Sequence, residues 1–330
     1  MPSRYAAVHQ NSKGPGDARP TALDIVKDEK LSGKLADKAI LITGCSSGIG
    51  IETAKALNTT GARLFLGVRN TTKGQAALSD ILKPGHVELL QMDLNSLDSV
   101  RSAAEEFKQK SETLNLLINN AGVMATPEGQ TADGFETQFG TNHLGHFLLF
   151  QLLKATLLAS STPPFNSRVV CLSSSGHRGA GVRFDNNYNF EKGDYAPWTA
   201  YGQSKTANIY MANEIERRYG SKGLHGLSVM PGGIMTGLQV HVRDQIAAGL
   251  DAARNYMKSP EQGAATTVYA ALSQEWEGKG GRYLEDCQEA EETDDASPLA
   301  AGYHPRAYNE EGEKKLWADS LQFVGIKEDK

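Results

Sequence analysis

The sequence predicts an α/β protein of three layers, in which a doubly wound parallel β-sheet of about seven strands carries helices on both faces. Three observations predict it. From Lys38 onward, short apolar runs rich in β-branched residues alternate with stretches of helical spacing. The first such run, "KAILITG", is apolar throughout rather than alternating, as a strand covered on both faces should be. Finally, the 330 residues are 39% hydrophobic and 22% charged, which supplies a core of domain size.

The elements follow in order. Residues 1–37 are polar, with Gly, Pro and charge concentrated in 11–20, and are expected to form a flexible N-terminal arm with a short helix near Thr21–Asp28. A single domain, 38–330, follows. "KAILITG" turns into a helix over "IETAKALNTTG", which Gly61 stops. "ARLFLGVR" is the second strand, followed by a helix over Lys73–Leu82 and the strand "HVELLQMD". Helix Leu97–Lys110 leads to "LNLLINN", and a long fourth helix runs from Asp133 to Leu158. "SRVVCLSS", a fifth helix over Tyr201–Tyr219, "LHGLSVMPG", a helix over Pro260–Ser273 and "GGRYLED" complete the set. Beyond it, "EAEETDD" reads as a solvated loop and "AYNEEGEKKLWADSLQFVG" as a last helix. There is no tandem repeat and no linker.

Several function classes are disfavoured. Net charge is −5 without a basic run, which argues against nucleic acid or an anionic membrane as partner. Cys45, Cys171 and Cys287 form no disulfide framework and no metal spacing, so a reducing, cytoplasmic location is expected. "MPSRYAAVHQNSKGPGDARP" lacks the apolar core of a signal peptide or anchor, and no apolar run reaches the roughly 18 residues of a spanning helix. No membrane anchor is expected.

The stretch "TGCSSGIG", Thr43 to Gly50, falls where the first strand turns into the first helix. Glycines there allow a sharp turn and close approach of a phosphate, and the helix start offers free N–H groups. An ordinary glycine-rich turn has the same composition; the strand–turn–helix context favours a Rossmann-type dinucleotide site instead. The spacing of Gly44, Gly48 and Gly50 is G-x-x-x-G-x-G, and no Gly-Lys-Ser/Thr follows, so it is not a Walker loop. Ser46, Ser47 and Ile49 belong to the same phosphate turn. The second strand ends "LGVRN": Val68 stands where an NAD-binding acid would be, and Arg69 follows, with Lys73 one turn on. A guanidinium suits a 2′-phosphate, so NADP is expected over NAD.

With these motifs in order, the chain resembles the short-chain dehydrogenase/reductase superfamily over residues 37–325. The resemblance rests on TGxxxGxG at 43–50, "MDL" at 92–94, "NNAG" at 119–122, "GTNHLGHFLL" at 140–149, "RVVCLSS" at 168–174, Tyr201-x-x-x-Lys205 and "PGGIMT" at 231–236. "SPEQGA" and "GGRYLEDC" make it most similar to the retinol-dehydrogenase-like and WW-domain-oxidoreductase-like branch and to fungal reductases of that type. It departs from that branch in showing neither a WW domain nor the anchor of many retinol dehydrogenases. The resemblance implies that Asp93, with Leu94 beside it, holds the adenine, and that Asn120, Ala121 and Gly122 line the adenosine side. It implies that Pro231, Gly232 and Ile234 meet the nicotinamide, the last through its backbone, with Thr236 in support. It also implies a possible homodimer paired through the fourth and fifth helices.

Tyr-x-x-x-Lys occurs twice, at Tyr201–Lys205 and at Tyr188–Lys192. The first lies in a helical segment, where i and i+4 share a face. The second lies in "NNYNFEKGD", full of turn formers, and is the accidental match. A free phenol has a pKa near 10. A cation about 4 Å away, at an effective dielectric of about 20, is worth roughly 4 kcal/mol, which would bring Tyr201 near 7, where a general acid–base works best. Lys205 would supply that charge and grip the nicotinamide ribose. Ser174 would orient the substrate oxygen, with Ser173 the alternative in "CLSSSGH". Asn142 would hold a water that links Lys205 to solvent, or else pack as a helix amide. Segments 176–198 and 237–258 are expected beside the site as substrate loop and lid, with His177 as an exposed loop residue.

These readings give an NADP-dependent oxidoreductase that moves hydride between nicotinamide C4 and a carbonyl or secondary alcohol of a lipophilic small molecule, retinoid-, steroid- or secondary-metabolite-like, acting as a ketoreductase. A non-catalytic NADP-binding sensor on the same fold is the alternative. A dehydratase or epimerase using the same residues is a third.

Overall fold

The computed structural model describes residues 3–295, 297 and 299–327. The chain runs α1 (Ala6–Gln10), α2 (Ala22–Asp28), β1 (Ala39–Thr43), α3 (Ile49–Asn58), β2 (Arg63–Val68), α4 (Thr71–Leu78), β3 (Val87–Gln91), α5 (Leu97–Lys110) and β4 (Leu116–Asn119). It continues through α6 (Thr137–Phe139), α7 (Gly145–Ser160), β5 (Ser167–Leu172), α8 (Pro197–Tyr219), β6 (Leu224–Met230), α9 (Arg243–Ala247) and α10 (Leu250–Ala253). The last elements are α11 (Pro260–Gly263), α12 (Ala265–Leu272), β7 (Arg282–Glu285), β8 (Gln288–Glu289) and α13 (Glu310–Phe323).

Among the described residues the strands form one sheet in the order β3-β2-β1-β4-β5-β6-β7-β8. All pairs are parallel except the β7–β8 hairpin. Residues of β1, β4, β5 and β6 are all buried, which is why these strands read as continuous apolar runs. Each face carries its own core: Leu41, Phe65, Leu117 and Val169 on one side, and Ile40, Ile42, Leu64 and Val170 on the other. The chain leaves β1 in one direction for β2 and β3, then returns past β1 to β4. The order therefore reverses at β1 and β4, and a crevice opens beyond their carboxyl ends.

Four differences from the sequence-based expectation have physical causes. The strand-like runs give seven strands; the eighth is the two-residue β8, too short to carry a pattern. The fourth helix is not continuous: α6 passes through a π turn over Gly140–Leu144 into α7. The fifth helix starts at Pro197 rather than Tyr201, because proline is preorganised for a helix's first turn. The expected flexible arm is packed against the domain. Thr21 and Asp24 form a reciprocal capping box on α2, and Ile25 and Val26 are fully buried against α12 and α3. Its polar composition hid this, because only a few apolar side chains anchor it.

The last helix is present as expected. Leu316, Trp317 and Leu321 of α13 are buried on α8, and Trp317 meets Phe147 of α7 edge-on at 4.9 Å. The fourth and fifth helices, through which pairing was expected, are thus partly covered by the chain's own α13.

Candidate active site

The crevice is built first by the turn after β1. Gly44 has φ 75° and its N–H donates to Gly67 O at 2.8 Å. A Cβ on Gly44 would meet Ala121 Cα at 2.7 Å, and one on Gly50 would meet Gly44 O at 2.3 Å. Only hydrogen fits at these two positions. Gly48, at φ 60°, caps α3 and turns its N-terminus toward the crevice. The "NNAG" segment is stitched to this turn: the Asn120 and Ala121 amides both donate to Thr43 Oγ1 at 2.9 Å, and Asn120 Nδ2 donates to Thr43 O at 2.7 Å. Thr43 in turn donates its proton to His146 Nε2 at 2.8 Å, and His146 Nδ1 donates to Asn142 O at 2.9 Å. Burial, offset in part by the Asn142 bond, lowers the His146 pKa to about 4, so the ring is neutral and can play both parts.

One cavity of about 1130 Å³ runs from this turn to β6 and beyond. It is lined by Gly44, Ser46, Ser47, Gly48, Ile49 and Gly50; by Arg69 and Lys73; and by Asp93, Leu94, Asn120, Ala121 and Gly122. Pro231, Gly232, Ile234 and Thr236 line its far side, with Ser174, Tyr201 and Lys205 between. Every residue singled out as cofactor-facing thus borders one continuous space. Arg69 and Lys73 are exposed at one end of it, while Val68 is buried and packs on Gly74, where an added Cβ would lie 3.1 Å away. Asn120 Oδ1 is buried with no protein partner. The glycine cradle, the free helix start, the two cations and this orphaned acceptor fit a phosphorylated dinucleotide.

At the other end stand the reactive groups. Tyr201 and Lys205 project from one face of α8 and are buried, with Lys205 Nζ 5.6 Å from the Tyr201 ring centroid. Lys205 Nζ donates to Leu172 O at 3.2 Å. Gly122 leaves room for it, because a Cβ there would lie 3.3 Å from Nζ. The Ser173 hydroxyl donates to Lys205 O at 2.9 Å and is spent on the α8 backbone. Ser174 lines the cavity with Tyr201 and acts to lower the phenol's pKa, and its hydroxyl accepts from Gly176 N at 3.1 Å. With the Ser173 hydroxyl engaged by the backbone, Ser174 is the serine carried forward as the proposed catalytic one.

The electrostatics differ from expectation. Burial raises the Tyr201 pKa to about 12 against the lowering effect of Ser174, and burial lowers Lys205 to about 8. Taking phenol and ammonium from water costs more than their mutual attraction returns. In the polypeptide alone the phenol is a neutral acid, able to give a proton to a carbonyl oxygen.

Asn142 sits in the π turn and lines no part of the cavity surface. Its Oδ1 accepts from Val123 N at 2.8 Å, and its Nδ2 donates to Val123 O and Ser204 Oγ, both at 2.9 Å. The side chain ties the segment after "NNAG" to α8. His177 is not an exposed loop residue. It is fully buried, donates from Nδ1 to Ser174 O at 2.7 Å and accepts from His304 N at 3.2 Å. Burial, opposed by the Ser174 bond, lowers its pKa to about 4. Tyr188 is a core residue stacked 4.8 Å from Phe139, and Lys192 is exposed, so this second Tyr–Lys pair has no shared face.

Past Tyr201 the cavity widens between 176–179, Trp198 and the segment 237–257. Sequence reading placed both loops there but missed Met124 and Leu299, which line the same region from elsewhere in the chain and carry no local signal. Trp198, Met235, Val240 and Leu299 are large, apolar and exposed, and all four border this cavity. A crevice with anion-binding amides at one end and a buried acid at the other defines a class, the dinucleotide-dependent oxidoreductases.

Comparison with known proteins refines this. The profile of the short chain dehydrogenase family matches residues 38–188. The chain is 56% identical over 328 residues to short-chain dehydrogenase/reductase prx1 of Penicillium roqueforti, covering 98% of this chain and 96% of that one. It is 35% identical over 298 residues to retinol dehydrogenase 12 of Mus musculus, covering 89% and 88%. A solved structure of an uncharacterized protein from Mycobacterium Paratuberculosis superimposes with a TM-score of 0.71 at 31% identity, covering 94% and 99%. The chain belongs to the short-chain dehydrogenase/reductase family, in the branch of the retinol dehydrogenases and WW domain-containing oxidoreductases. It is an oxidoreductase of a family that uses nicotinamide cofactors on small molecules. Among the described residues no helix is long and apolar enough to cross a membrane.

Proposed function

We propose that this enzyme is an NADP-dependent ketoreductase of lipophilic small molecules, working in the cytoplasm. The observation that carries the reading is the single cavity joining Arg69 and Lys73 at one end to Ser174, Tyr201 and Lys205 at the other. The glycine turn and the start of α3 hold the pyrophosphate, and Arg69 and Lys73 hold the 2′-phosphate. Asp93 and Leu94 border the adenine, Asn120 to Gly122 the adenosine, and Pro231, Gly232, Ile234 and Thr236 the nicotinamide. NADPH supplies hydride from nicotinamide C4. Ser174 donates to the substrate carbonyl oxygen, and the neutral Tyr201 phenol delivers its proton there as charge builds. Lys205 holds the ribose, and its ammonium stabilises the phenolate left behind. Asn142 acts at one remove, by holding Val123 and α8 in register.

Trp198, Met235, Val240 and Leu299 support the lipophilic substrate class, since exposed apolar side chains gathered at one mouth mark a binding surface. The test is NADPH oxidation by pure protein over a panel of aliphatic, steroidal and retinoid-like ketones and aldehydes, with products identified by mass spectrometry. Turnover that rises with apolar size supports the reading. Tight NADPH binding with no turnover on any member favours the sensor, and product formed without net NADPH loss favours a dehydratase or epimerase.

A further inference from the structure

We propose that the N-terminal segment before β1 is a strap that fixes the base of the substrate lid, and that Arg19 is its positioning residue. The inference rests on the ketoreductase reading for its meaning, although the strap itself is a matter of geometry.

The lid, 237–258, leaves the domain after Thr236 and returns at Lys258. Between these points it is lightly held: among the described residues Val242 is the large apolar side chain buried there, with Leu238 and Ile246 partly buried against it. Its return end carries two cavity-lining residues, Tyr256 and Met257. Both lie against the nicotinamide-side loop, because a Cβ on Gly233 would meet Tyr256 Cε1 at 2.6 Å and Met257 Sδ at 2.9 Å. Where these two residues stand decides the wall that a substrate meets.

Arg19 holds them. Its side chain is buried, with Nη1 donating to Tyr256 O at 3.0 Å and Nη2 to Met257 O at 2.5 Å. Nη2 also reaches Gly14 O at 3.1 Å, and Nε donates to Asp17 Oδ1 at 2.8 Å. The anchor behind it is rigid. Asp17 Oδ1 also accepts from Gln262 Nε2 at 3.0 Å, and Gln262 Oε1 accepts from Gly16 N at 2.9 Å and Ser259 N at 3.1 Å. Burial pushes the Asp17 carboxyl up, but the Arg19 and Lys13 hydrogen bonds outweigh it and hold it well below the usual range. Asp17 is therefore a fixed anion that orients the guanidinium.

A second tie meets the same corner. Lys258 Nζ donates to Asp286 Oδ1 at 2.6 Å and to Pro231 O at 3.3 Å, and His9 Nδ1 lies 3.1 Å from the same Asp286 oxygen. The strap thus touches the lid base and the adjoining loop, but makes none of these contacts with the glycine turn, Arg69 or Lys73. Two part-buried lid carbonyls share one buried guanidinium, and a carbonyl that loses its donor there must find water or let its segment move.

The experiment compares wild type with Arg19→Ala by hydrogen exchange and by kinetics. Amides of 240–258 should exchange at least about tenfold faster in the variant, while those of α8 and β1 stay unchanged. NADPH affinity should stay within about twofold, while KM for the largest ketone accepted by wild type rises about tenfold with little change in kcat. Should Arg19→Ala fail to fold, Arg19→Lys carries the test, since an ammonium keeps the charge beside Asp17 but cannot serve both carbonyls and Asp17 in one plane. Unchanged exchange in 240–258 overturns the strap. Faster exchange with an unchanged KM overturns the positioning role. If wild type reduces none of the ketones, the ketoreductase reading has failed, and exchange alone decides the strap.

Discussion

On the proposed reading of Arg69 as the 2′-phosphate group's partner, replacing it by Ser should make binding nearly indifferent to that phosphate. Arg69 follows directly on β2, is exposed, and borders the cavity with Lys73 on the first turn of α4. No acid competes there, since the neighbouring Val68 is buried against Gly74. Hydrogen bonds from a charged group contribute about 1.5–3 kcal/mol. At about 1.4 kcal/mol per factor of ten, losing them should weaken NADPH by roughly 10- to 150-fold. The lower part of that range applies if Lys73 takes over some of the load. NADH, which has no 2′-phosphate, should bind within a factor of about two of wild type. Fluorescence titration of both cofactors at low and moderate salt measures this. The NADPH loss should shrink as salt rises, because Arg69 is solvent-exposed. An equal loss for both cofactors, or none for either, would refute the assignment.

Two further outcomes follow from groups away from the chemistry. Glu285 is buried, and burial, then its Asp286 neighbour, raise its pKa from 4.5 to about 7 against the Gly302 amide. The folded state therefore keeps a proton that the unfolded chain releases, and stability falls as pH rises from about 4.5 to 7, by at most about 3 kcal/mol. Glu285→Gln removes this slope, so its melting temperature should gain on wild type between pH 5 and 8; a pH-independent difference would contradict the account. The oligomeric state is the second. Trp317 is buried between Phe147, Phe150 and Tyr219, and Glu313 accepts from Asn213 at 2.7 Å, so α13 covers part of the two helices through which pairing was expected. Sedimentation should show a monomer, and a stable dimer at micromolar concentration would contradict this.

The sheet and the crevice were legible because their signals are local. A strand buried on both faces shows as an unbroken apolar run, and a turn that admits only hydrogen at Gly44 and Gly50 must show as glycine. The tyrosine and lysine were legible as a one-turn spacing on a helix. What the sequence hid depends on contacts distant along the chain. Arg19 reads as one more charge in a polar arm until it is seen under Tyr256 and Met257, 237 and 238 residues away. His177 reads as a loop histidine until His304 covers it. Asn142 shows in the sequence only as an amide in a helix, and its bonds to Val123 and Ser204, 19 and 62 residues away, carry no local signal. The opposed pKa shifts of Tyr201 and Lys205 come from burial, which spacing does not record.

The central claim is that the Tyr201 phenol, held by Ser174 and Lys205, passes the proton to the oxygen that hydride transfer reduces. Tyr201→Phe tests it most directly, in a single-turnover mix of enzyme, NADPH and a ketone that wild type reduces. The account predicts that NADPH still binds within about twofold while its oxidation slows at least about a thousandfold, the upper part of the range for a positioned general acid. Oxidation at a rate close to wild type, with NADPH bound as tightly, would contradict it.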